Sequence, residues 1–361
     1  MENILKLFTA DKVIGISPLG NGHINSTNCV TLENAKGEKY RVVLQKINEY
    51  VFSDIDGLMK NICSVTDHLR KKTTAEQNSK YSVMRVIPTL SGDSFARTAS
   101  GSWRCLEMVE NTVSYDIMES RDDFYRCASA FADFTGRLSD FPADTLTETI
   151  PDFHNTVKRY RDFLQAVDDD RLGRKKTATE EIRMCLDRKH LAGVIADKLA
   201  NGELPLRVIH NDTKINNILF DRDTNLPMCI VDLDTVMPGA ACYDYGDAVR
   251  SGASTAEKDE TDRNKVQLDM ELFSACTEGY MSVAKYFLTS EEIDSFVTAP
   301  LVITYEMALR YLTDYLNGDL YFGSKYPLHN LNRCRRNLYL LEDMERKTSV
   351  MESIVRNAAR C

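Results

Sequence analysis

Apolar residues come in short β-type runs through the first third of this chain and recur at helical spacing beyond it. Val13 to Pro18 and Asn28 to Leu32 predict two strands, joined by Leu19-Gly20-Asn21-Gly22-His23-Ile24-Asn25-Ser26. Gly20 and Gly22 would let that backbone turn tightly and bring N–H groups close to a polyanion. Tyr40 to Ile47 predicts a third strand, in which alternation puts Gln45 and Lys46 on opposite faces and leaves open which of them meets a ligand. Ile55, Leu58, Met59, Ile62, Val65 and Leu69 predict a helix over 52–72 with Ser53 as its N-cap. Strands are expected again over 82–88 and 103–109.

After Asn111 the period is helical. Phe124, Cys127, Ala128, Phe131, Phe134 and Leu138 form one apolar stripe. Further helices are expected over 152–166, 177–200, 268–287, 290–317 and 331–356, with an exposed charged loop over 168–176. The pattern therefore divides the chain into a small sheet-rich part, 1–110, and a larger helical part, 111–361.

One segment interrupts the helices. Ile218-Leu219-Phe220 and Met228-Cys229-Ile230-Val231 flank a polar turn and predict a hairpin. Pairing Ile218 with Val231 would set Asn217 opposite Asp232, and a carboxamide and a carboxylate side by side suit a hard cation such as Mg²⁺. Asp212 precedes them on the same loop, free to accept the proton of an attacking hydroxyl. Lys214 would aim a compact charge at a γ-phosphate, and His210 would serve as a packed strut. Asp234 is open to three readings: support, a second metal ion or a helix cap. Asp244 and Asp247 would brace the next helix and the catalytic loop.

The order His210, Asp212, Asn217, Asp232 is that of the kinase superfamily. HNDTKINN followed by IVDLDT resembles the aminoglycoside phosphotransferase-like small-molecule kinases, and the runs GNGHINST and GDLYFGSKYP are similar to those of the N-acetylhexosamine 1-kinases among them. The resemblance covers essentially the whole chain. It implies an α+β, bilobal protein-kinase-like fold with a small antiparallel-sheet N-lobe and a larger, mainly helical C-lobe. It also implies ATP as co-substrate, Mg²⁺ as cofactor, and transfer of the γ-phosphoryl group to the C1 hydroxyl of N-acetylglucosamine or N-acetylgalactosamine. By the same likeness Gly20, Gly22 and Gln45 would attend the nucleotide, Glu107 and Val109 would form the hinge that reads adenine, and His23, Arg310 and Tyr321 would line the sugar site. Two alternatives stay open: a kinase of the same fold acting on choline, homoserine or an aminoglycoside, and a nucleotide-binding protein without catalysis.

Composition narrows the setting. With 361 residues, 43% hydrophobic and 27% charged, the chain can bury a substantial core. A net charge of −9 argues against nucleic acid as a bulk partner. The ten cysteines show no zinc or disulfide spacing, and no apolar run or signal-peptide pattern suggests a membrane, so a cytoplasmic protein with reduced thiols is expected. Oligomeric state leaves no trace in the sequence.

Overall fold

The computed structural model describes residues 1–20, 25–76, 81–116, 120–257 and 260–360. The chain begins with α1 (Glu2–Leu5), β1 (Lys12–Pro18), β2 (Ser26–Glu33), β3 (Lys39–Lys46) and α2 (Ile55–Ala75). It continues through β4 (Val86–Ile87), β5 (Ala96–Thr98), β6 (Gly101–Glu107), β7 (Thr112–Val113), α3 (Arg121–Arg137) and α4 (Thr156–Asp169). Next come α5 (Thr179–Asp187), α6 (Val194–Ala200), β8 (Arg207–Ile209), β9 (Ile218–Asp221) and β10 (Pro227–Ile230). The closing elements are β11 (Met237–Gly239), α7 (Ala241–Gly252), α8 (Met270–Ala284), α9 (Ser290–Asn317) and α10 (His329–Arg360).

The chain divides into two compact units. The first comprises 1–114, 140–151 and 216–238, and the second 115–139, 152–215 and 239–361. In the first unit an antiparallel sheet runs in the order β1-β2-β3-β6-β4, with β5 also on β6. Alternation along these strands sends Val30, Leu32, Val42, Leu44, Trp103 and Cys105 to one face, where Leu5 and Phe8 cover them. Burying such side chains is worth roughly 1.5–3 kcal/mol each, so this face anchors the sheet. The opposite face carries Gln45 and Arg104, which are register partners across β3 and β6. α2 begins with Asp54, not Ser53, as its cap: the Asp54 carboxylate accepts from Gly57 N at 2.9 Å.

The hairpin lies in the same unit and its register is one residue from the expected one. Ile218 pairs with Ile230, and a bulge between Pro227 and Cys229 absorbs the difference. Val231 N instead donates to the Asn217 carbonyl at 2.9 Å, so Asp232 lies one step beyond the partner of Asn217. A bulge adds a residue to one strand, which alternation alone does not reveal.

The second unit is helical. α9 has a full capping box, Thr289 and Glu292 bonding reciprocally, and packs against α7 and α10. Tyr245 of α7 stacks on Phe296 of α9 with ring centroids 4.4 Å apart. α3 and α8 approach so closely that a methyl group on Gly279 would come within 2.2 Å of the Tyr125 carbonyl oxygen. The single helix expected over 177–200 is broken into α5, a 3-10 turn at Lys189–Leu191, and α6. Gly193, just ahead of α6, favours that break. Among the described residues no helix is long and apolar enough to cross a membrane.

Candidate active site

The sequence-predicted residues fall into two groups, one in each unit. In the helical unit the loop after β8 carries His210, Asn211, Asp212, Thr213 and Lys214. His210 is fully buried, edge-on to Phe131 and Phe134 at 5.3 and 5.8 Å. Asp244, inside α7, accepts backbone N–H bonds from His210 and Asn211, each 2.7 Å, and its own carbonyl accepts the Thr213 hydroxyl at 2.9 Å. Burial pushes the Asp244 carboxyl up, and His210 and these two N–H donors pull against that rise. Asn211 has φ +65°, a left-handed conformation that asparagine tolerates better than most side chains. His210 and Asp244 thus hold the loop at its backbone.

Asp212 is ion-paired with Lys214. Burial works against the Lys214 charge, but the Asp212 carboxylate outweighs it and holds the ammonium above its ordinary range. Further along the same unit Asp247 pairs with Arg250 at 2.6 Å. There burial would raise the Asp247 carboxyl, and the guanidinium brings it below the usual value instead.

Arg310 and Tyr321 come together in this unit. The Arg310 guanidinium lies 5.7 Å from the Tyr321 ring, 5.4 Å from Phe322 and 5.7 Å from Phe153. Asp314 fixes the turn that carries the two aromatics by accepting from Tyr321 N at 2.8 Å and Phe322 N at 3.0 Å. One turn before Arg310 on α9, Glu306 accepts from the Thr156 hydroxyl at 2.8 Å and pairs with His154 Nδ1 at 3.1 Å. Burial would raise the Glu306 carboxyl, but His154 and Arg310 hold it down. The buried His154 Nε2 has no hydrogen-bond partner among the described residues.

In the sheet unit Asn217 is buried at the start of β9, and Asp232 is exposed just past β10. A carboxamide and a carboxylate at neighbouring positions of one hairpin are hard oxygen donors of the kind Mg²⁺ takes, which fits that ion. Among the described residues no group of three or more His, Cys, Asp or Glu could hold a metal. Asp232 has φ +60°.

Asp234, two residues on, is engaged. Both its oxygens accept from the Arg104 guanidinium, and Asn25 Nδ2 donates to one of them at 2.5 Å, which matches the supporting reading. Gln45, not Lys46, faces this group: its Oε1 accepts from Arg104 Nε at 2.8 Å. Gly20, at the end of β1, has φ +72° and open space where a side chain would stand. Gly22 and His23 lie outside the described residues. Val109, expected at the hinge, borders a cavity of about 540 Å³ with Leu19, Met108 and Thr112. The Glu107 N–H donates to the Arg85 carbonyl at 2.9 Å, and its side chain pairs with Arg85 at 2.8 Å.

Residues 73–270 match the phosphotransferase enzyme family (APH), which is more than half of the chain. The chain belongs to this family. Its fold is protein-kinase-like and recurs in solved structures of low identity. A microcompartment-associated aminopropanol kinase matches with a TM-score of 0.62 at 16% identity, over 97% of each chain. Choline kinase from Cryptosporidium parvum Iowa II gives 0.56 at 13%, over 95% of this chain and 91% of the other. Spectinomycin phosphotransferase in complex with ADP and spectinomycin gives 0.53 at 12%, over 99% and 97%.

For this phosphotransferase the sequence reading missed Arg104, His154 and Glu306. Arg104 had a visible signal, a lone cation within the apolar run SWRCLEMV. His154 and Glu306 had none, because 152 residues separate them and only the fold pairs them.

Proposed function

We propose that this protein is an ATP- and Mg²⁺-dependent kinase that phosphorylates the C1 hydroxyl of an N-acetylhexosamine, N-acetylglucosamine or N-acetylgalactosamine. Asp212 would orient the acceptor hydroxyl and take its proton as oxygen attacks the γ-phosphorus. The bond to the β–γ bridging oxygen then breaks, and ADP leaves with the electron pair. A positioned base of this kind is worth about 10² to 10⁴ in rate. Lys214 would balance the charge of Asp212 at rest and meet the γ-phosphate when nucleotide is bound. Asn217 and Asp232 would hold the Mg²⁺, which supplies charge neutralisation at the β- and γ-phosphates.

One observation carries the choice of acceptor. Arg310 lies among the rings of Phe153, Tyr321 and Phe322. Aromatic faces beside a guanidinium suit the C–H faces and hydroxyl or amide oxygens of a neutral sugar. A cationic acceptor such as choline would be repelled there, at a cost that grows as water is excluded. The anomeric position rests on the likeness of the GNGHINST and GDLYFGSKYP runs to the hexosamine kinases.

The test is a ³¹P NMR assay over a panel of N-acetylhexosamines, choline, homoserine, aminopropanol and kanamycin, which reports substrate and phosphorylation position together. Sugar 1-phosphate forming well ahead of every amine product supports the reading. Turnover confined to an amine, or none at all, overturns it.

A further inference from the structure

β3 presents the neutral Gln45 on the face where a kinase of this superfamily would carry a phosphate-end lysine, and the positive charge of that face stands on the neighbouring strand. Arg104 is 2% exposed, and three of its nitrogens are engaged: Nε with Gln45 Oε1 at 2.8 Å, and Nη1 and Nη2 with the two oxygens of Asp234, the latter at 3.0 Å. Gln45 is held in turn by donating to Thr27 Oγ1 at 3.0 Å. Asn25 bridges from Asp234 to Asn48 N, at 2.5 and 2.9 Å. From the other side Thr149 donates to the Asp234 carbonyl at 3.0 Å, and Asn61 donates to the Val236 carbonyl at 3.1 Å.

A buried ion pair gains little net stability, because desolvating both charges offsets most of their attraction; what it fixes is geometry. A bidentate guanidinium–carboxylate pair sets angle as well as distance. Here the geometry fixed is that of the turn over 232–235, which begins at Asp232 in a left-handed conformation. Of the two acids in Asp232-Leu233-Asp234, the second is saturated and the first is exposed.

We propose that Arg104 is a positioning residue for the metal-nucleotide end of this enzyme. By clamping Asp234 it holds the turn so that Asp232 alone of the two acids is presented to Mg²⁺. This inference rests on the reading of Asp232 as a metal ligand.

The measurement is ADP affinity by calorimetry with and without Mg²⁺, on the full chain. In Arg104→Met the gain in ADP affinity conferred by Mg²⁺ should fall about 10- to 100-fold, as for loss of a supporting partner at a metal site, while metal-free ADP affinity stays within a factor of about two. Arg104→Lys, which keeps charge but not the two-pronged geometry, should restore that gain in part. Arg104→Met leaves Asp234 buried and unpaired, so it is accompanied by Arg104→Met/Asp234→Leu, which removes both charges. The double variant should melt near the parent temperature and still lack the Mg²⁺ gain. Full recovery of the gain in the double variant would reduce the pair to packing and overturn the proposal. Asp232→Asn separates the two levels: if it leaves the Mg²⁺ gain intact, the ligand reading and this inference both fail. If it abolishes the gain while the Arg104 variants keep it, only this inference fails.

Discussion

The buried carboxylate of Asp244 on α7 accepts the backbone N–H of His210 at 2.7 Å, and its second oxygen takes the next N–H, that of Asn211, at the same distance. Two adjacent donors of the loop after β8 therefore end on one side chain 34 and 33 residues away in sequence. Asp244→Ala would strand both. Each buried unsatisfied group costs about 1–3 kcal/mol, so chemical denaturation should show a loss of roughly 2–6 kcal/mol, with turnover falling more steeply than nucleotide affinity.

Asp212→Asn keeps the shape of the side chain and removes the carboxylate proposed as the base. Turnover is expected to drop by about 10² to 10⁴, while ADP binding by calorimetry changes little. Retained turnover would take the proton-accepting role away from Asp212.

Replacing Arg310 tests the acceptor side. Arg310→Met preserves bulk against Phe153, Tyr321 and Phe322 but deletes the charge. A hydrogen bond to a charged group is worth about 1.5–3 kcal/mol, so KM for the proposed N-acetylhexosamine acceptor should rise by roughly 10- to 100-fold with KM for ATP unchanged. Equal KM values in parent and variant would remove Arg310 from the sugar site.

Asp247 gives the acid limb of stability a definite sign. Its carboxyl is held below the ordinary 3.8 because the Arg250 guanidinium outweighs burial. A lowered folded-state value means the pair contributes fully above pH 3.8 and loses its contribution as pH falls through that lower value. Asp247→Asn leaves the mostly buried Arg250 without its charge partner, at a cost of up to about 3–5 kcal/mol at neutral pH. The difference between parent and variant in urea melts should be flat from pH 7 down to about 4 and shrink below it. A difference that grows with acid would contradict this assignment.

Strong periodicity made much of this architecture legible. The strands around Val13, Asn28 and Tyr40, the α3 stripe and α9 are local patterns of one period each, and the family motif lies within one short stretch. What failed was set by tertiary context. The hairpin register includes a bulge between Pro227 and Cys229, an extra residue on one strand that alternation alone does not reveal. The helix expected over 177–200 gave way at Lys189–Gly193, where helical periodicity continues but the backbone turns. Arg104 stands out in sequence as a lone cation in an apolar run, but its partner Asp234 lies 130 positions later and only the fold brings it alongside. His154 and Glu306 likewise acquire meaning as a pair and not singly.

The left-handed backbone at Asp232 narrows what can stand there. Aspartate and asparagine are among the few residues with side chains that visit this region readily, whereas glutamate, one methylene longer, lacks the short polar arm that stabilises it locally. A chemist choosing an acid for this position is thus choosing a chain direction as well. Glutamate, the usual conservative swap, would bring the right charge on a backbone inclined to turn the other way, and glycine would keep the bend while abandoning the carboxylate.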